Sequence, residues 1–134
     1  MQDESLVLGF AASAAFEASG LERAEFDARV ADLIGILPEV QIVRMKPDIL
    51  AGLVKDPPET ARRLLRFKII FPGANVAAIA ARRPSLLLEE FGALDARRAL
   101  LDRLFGHAFV DGLVERQPIL LVADIEQAVQ DLKR

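Results

Sequence analysis

Val76-Ala-Ala-Ile-Ala-Ala-Arg-Arg-Pro84-Ser-Leu-Leu87 and Val110-Asp-Gly-Leu-Val-Glu-Arg-Gln-Pro118-Ile-Leu-Leu121 can be laid over one another, and Val40-Gln-Ile-Val-Arg-Met-Lys-Pro47-Asp-Ile-Leu50 is a looser third copy. The prolines fall 37 and 34 residues apart. An apolar pair precedes each proline (Ile42/Val43, Ile79/Ala80, Leu113/Val114), and another follows it (Ile49/Leu50, Leu86/Leu87, Leu120/Leu121). A period near 35 residues predicts stacked helical units, because one helical hairpin cannot bury its apolar face alone. A proline disfavours helix in the residue before it, so a short helix is predicted to end at Lys46, Arg83 and Gln117. The apolar residues after it are expected to form a 3₁₀-like turn that plugs the core.

A longer helix precedes each copy. Asp27 to Leu37 carries Val30, Leu33, Ile34 and Leu37 on one face, and Ser19 with Glu22 reads as a capping box that starts this helix near Gly20. Pro58 and Glu59 open a helix that Pro72-Gly73 closes, and Asp95 is a suitable N-cap for one that stops at Gly106. Ala28-Arg29, Ala61-Arg62 and Ala96-Arg97 mark the three long helices, 33 and 35 residues apart. The expected fold is therefore all-α, a right- or left-handed helical-repeat solenoid in one domain. Its parts are a capping helix within 1–26, repeats at 27–57, 58–93 and 94–123, and a final helix in 124–134. The first copy, with Pro38 close to Val40, suits a terminal unit.

Composition agrees and narrows the chemistry. Ala and Leu supply 41 of 134 residues, a helical bias. Without Cys and with one histidine, His107, the chain has no thiolate or His-rich metal site; no metal or other cofactor is expected. Neither Gly-rich phosphate loops nor nucleophile or zinc-protease motifs occur, and Glu89-Glu90 are neighbours that point apart on a helix, so no enzyme and no small-molecule substrate are expected. The acidic start is unlike a targeting peptide, and the longest uncharged stretches, Ser5 to Phe16 and Ile69 to Ala81, are too short to span a membrane.

Charge is unevenly distributed. The net charge of −3 divides into −6 over residues 1–60 (five basic, eleven acidic) and +3 over 61–134 (twelve basic, nine acidic). Arg62, Arg63 and Arg66 share one side of a helix, Arg97 and Arg98 occupy nearly the same repeat position one unit later, and Arg82 and Arg83 end a short helix. Together they read as a stripe suited to phosphates, with a solvated face paired to Glu59, Glu89, Glu90 and Asp95 as the alternative.

The strings from Phe71 to Leu88 and from Phe105 to Leu121 resemble the repeat of the mitochondrial transcription termination factor (mTERF) family: an apolar residue closing one helix, a second helix, then a proline and an apolar pair. The resemblance covers roughly Asp27 to Ala123. It implies a solenoid of three-helix units that binds double-stranded DNA, or RNA, in mitochondria or chloroplasts and acts in transcription regulation. Without that resemblance, the cytoplasm is the default expectation. A protein-interaction scaffold, docking a partner through its acidic first sixty residues or an apolar surface, is the alternative function.

Overall fold

Arg23–Ile36 forms the first long helix of the computed structural model, which describes residues 13–90, 92–125 and 127. Residues 13–19 are helical and are called α1; Arg23–Ile36 is α2. There follow η1 (Ile42–Arg44), α3 (Pro47–Val54), α4 (Pro57–Ile70), α5 (Val76–Arg82), η2 (Pro84–Leu88), α6 (Ala93–Phe105), α7 (His107–Arg116) and η3 (Pro118–Leu121), where η denotes a 3₁₀ turn. The described residues are all helix, turn or loop, with no strand among them. No helix among them is long and apolar enough to cross a membrane. The earlier part of the expected capping helix and nearly all of the final helix lie outside the described residues; residues 125 and 127 are helical.

The described residues group into two compact units, one from the residues up to Arg66 with Ala77–Glu89, the other from Phe67–Val76 with Glu90 onward. In the first, α2 packs on α3, and α3 on η2. In the second, α6 packs on α7, and α7 on η3.

A spacing of 34 residues runs through both. Leu33, Phe67 and Leu101 are buried, and so are Ile42, Val76 and Val110, and Leu53, Leu87 and Leu121, each set in steps of 34. Burial of each such side chain is worth about 1.5–3 kcal/mol. A polar ladder has the same step. Arg29 Nη1 donates to the carbonyls of Val54 and Lys55, Arg63 Nη1 to those of Leu87 and Glu89 (3.2 and 2.7 Å), and Arg97 Nη1 to those of Leu120 and Ala123 (3.4 and 2.7 Å). These carbonyls end α3, η2 and η3, where the helical ladder leaves acceptors unmatched and the negative dipole end favours a cation. Replacing Arg97 with Ala is expected to cost about 1.5 kcal/mol, read as a lower urea midpoint with unchanged slope.

The ladder corrects the sequence reading in the middle copy. Arg63, not Arg62, is the counterpart of Arg29 and Arg97, because the true step is 34 rather than 33 and then 35.

The first copy also differs from expectation. Pro47 opens an α-helix as its first residue, with Lys46 extended at φ −63° and ψ 141°, and the shorter 3₁₀ turn comes before it. By the 34-residue step the counterpart of Pro84 and Pro118 is Leu50, which keeps its N–H: Leu50 N donates to Lys46 O at 3.0 Å, a bond that proline cannot make. In the other copies the prolines do start 3₁₀ turns, after Arg83 (φ −132°) and Gln117 (φ −130°).

Ser19 does not cap α2. Its Oγ donates to Phe16 O (2.6 Å) and accepts from Leu21 N (3.2 Å), so the helix begins after Glu22. Similarly, α6 starts before Asp95, after Gly92, whose φ of +87° favours glycine.

Candidate nucleic-acid interface

The seven arginines read from the sequence as phosphate contacts have three different local fates. Arg62 is exposed and pairs with Glu59 (Nε to Oε2, 2.9 Å) on its own helix, and Arg66 is exposed and already engaged by a neighbour. Arg63 also reaches Glu59 (3.3 Å) but directs Nη1 to the carbonyls at the end of η2, and Arg97 does the same at η3. These two guanidiniums spend donors inside the fold that a phosphate would need.

Arg98 is enclosed most fully. Only 8% of the residue is exposed, and its guanidinium lies 5.3 Å from the centroid of the Phe71 ring. Nη1 donates to Asp111 Oδ1 (2.6 Å) and Ile70 O (3.3 Å), and Nη2 to His107 O (3.3 Å). Nε approaches Asp102 Oδ1 at 2.8 Å outside hydrogen-bond alignment, so that attraction is Coulombic. His107 Nδ1 lies 3.1 Å from Arg98 Nη2. The same His107 nitrogen lies 3.2 Å from Asp102 Oδ2, so it faces a donor and an acceptor at once. Asp111 is held in turn: its Oδ2 accepts from Gly73 N at 3.1 Å. An added Cβ on Gly73 would meet that oxygen at 2.7 Å, so this turn needs glycine for close approach. Asn75 N donates to Glu115 Oε1 (2.8 Å), fastening the same turn to α7 a second time.

The third fate is freedom. Arg82 is exposed and Arg83 half-buried, and neither guanidinium has a hydrogen bond or ion pair with the described residues. Arg82 lines a cleft of about 550 Å³ in the first unit together with Glu39, Gln41 and Arg44. Arg44 is likewise exposed and without such a partner among the described residues. It was not among the sequence candidates, because it sits in the segment whose average charge is strongly acidic. The 34-residue step offered a clue: it pairs Arg44 with Ala78, another lining residue of the same cleft.

Among the described residues no group of three or more His, Asp or Glu side chains is arranged to hold a metal ion. Comparison of the chain with protein-family models, with curated proteins and with solved structures gave no match.

Proposed function

We propose that the chain is an mTERF-like helical-repeat module, its units stacked as a solenoid, that binds the phosphate backbone of double-stranded DNA or RNA in organellar gene expression. The observation that supports this most is the set of uncommitted guanidiniums, Arg44, Arg82 and Arg83, in a fold that ties up Arg63, Arg97 and Arg98. Arginine offers several donors in a fixed fork, matched to phosphate oxygens, and such contacts position a protein on a duplex without reading bases. The first unit contributes these three cations, Arg103 in the second is exposed and equally without a partner among the described residues, and Arg62 adds an exposed charge shared with Glu59. Titration of labelled DNA and RNA duplexes at low salt, followed by fluorescence anisotropy, tests the reading. Binding is expected to weaken with a log–log salt slope of about −2 to −3, as three phosphate contacts require. Absence of binding at low salt refutes it.

A protein-interaction scaffold is the second reading. In the second unit Ile69 is 76% exposed and Phe109 70% exposed, apolar side chains that a partner would cover.

A further inference from the structure

The cleft in the first unit is more elaborate than a backbone contact requires. A phosphodiester chain passing over a surface needs cations and no hollow, whereas about 550 Å³ falls in the range of small-molecule sites. Glu39 is the second anomaly. A carboxylate beside two guanidiniums weakens attraction for a polyanion, and here no ion pair joins Glu39 to any described residue, Arg44 and Arg82 included. The lining of the cleft therefore includes both unspent donors and an unspent acceptor.

An occupant that uses all of them carries an anion and, a few ångströms away, hydroxyl groups. Arg44 and Arg82 suit a phosphate, Glu39 accepts from hydroxyls, and the Gln41 amide both donates and accepts. The remaining wall includes Met45, Ala78 and Ala81, small or flexible apolar groups that fit a sugar ring, and among the described residues the lining holds no aromatic ring on which a base would stack. We infer that this cleft binds a phosphorylated sugar, its phosphate between Arg44 and Arg82 and its hydroxyls on Glu39 and Gln41. This goes beyond the sequence expectation of no small-molecule substrate and does not depend on duplex binding. The shared chemistry has two sources, a free sugar phosphate or the ribose 5-phosphate part of a nucleotide.

Isothermal titration of the full chain with ribose 5-phosphate, adenosine 5′-monophosphate, inorganic phosphate and ribose tests the inference. Ribose 5-phosphate is expected to bind at least tenfold more tightly than inorganic phosphate, and ribose alone weakly or undetectably. Adenosine 5′-monophosphate binding above that level assigns the nucleotide as the source; equal or weaker binding assigns the free sugar phosphate. Arg82→Ala is expected to abolish ribose 5-phosphate binding. Glu39→Gln separates this site from the backbone reading: it lowers the preference for ribose 5-phosphate over inorganic phosphate several-fold, because the hydroxyl acceptor is weakened while repulsion of either phosphate is relieved alike, and duplex DNA, which offers phosphate acceptors, binds equally or more tightly. Glu39 is exposed, and an unchanged thermal midpoint checks the fold of that variant. Ribose 5-phosphate binding no tighter than inorganic phosphate, or a preference over inorganic phosphate undiminished in Glu39→Gln, overturns the inference whatever the duplex titration shows.

Discussion

Replacing Arg98 with alanine is expected to destabilise the fold by about 3–5 kcal/mol, the cost of stranding partly buried carboxylates whose cation has been removed. Asp102 and Asp111 are only 28% and 24% exposed, and Phe71 loses the guanidinium above its ring. A thermal midpoint lower by roughly 10–20 °C reports the loss. The 34-residue step places Leu64 and Val30 at the corresponding positions, so an arginine stands here where the other copies carry an apolar side chain. Arg98→Leu combined with Asp102→Asn and Asp111→Asn is therefore expected to recover a good part of the stability, because both carboxylates facing the lost cation are neutralised and the asparagine oxygen at position 111 can still accept from Gly73 N. A single Arg98→Ala variant within about 1 kcal/mol of the parent would show that the network is not the tie described.

Phe67→Ala is expected to have an effect of similar size, about 3–5 kcal/mol. Phe67 is fully buried, and its ring meets Phe71 edge to face with centroids 5.6 Å apart. Leucine occupies the matching position in the other two copies, at 33 and 101. Phe67→Leu should consequently cost far less, about 1–1.5 kcal/mol, since the neighbours are built around a residue of that kind. Chemical denaturation of both variants distinguishes the cases. Equal losses in the alanine and leucine variants would contradict the equivalence of the three positions.

Helices and their ends were legible because the signals are local. Proline at a first turn, glycine after a last one and apolar spacing within a turn each act over a few residues, and α4, α6, α7, η2 and η3 follow them closely. The first copy misled because Pro47 looks like the other two prolines in isolation. What distinguishes it is the register of buried positions, and that is visible only once Ile42, Val76 and Val110 are known to be buried together.

Assigning roles to the arginines was harder for a related reason. Arg63 and Arg97 find their acceptors 26 residues away at the chain ends of 3₁₀ turns, and Arg98 finds Asp111 across a helix boundary. A run of arginines in a sequence carries no mark of such distant partners. Arg44 had the opposite difficulty, a free cation hidden by the acidic average around it.

The role proposed for the uncommitted arginines is tested most directly by one comparison of duplex binding at low salt, between the parent chain and the Arg44→Ala/Arg82→Ala/Arg83→Ala variant. Arg116→Ala, which removes an exposed charge whose Nε bonds to Gly112 O within its own helix, serves as the charge control. The triple variant is expected to lose at least tenfold in affinity and most of its salt dependence at an unchanged thermal midpoint, with the control close to the parent. Undiminished duplex binding by the triple variant would contradict the account.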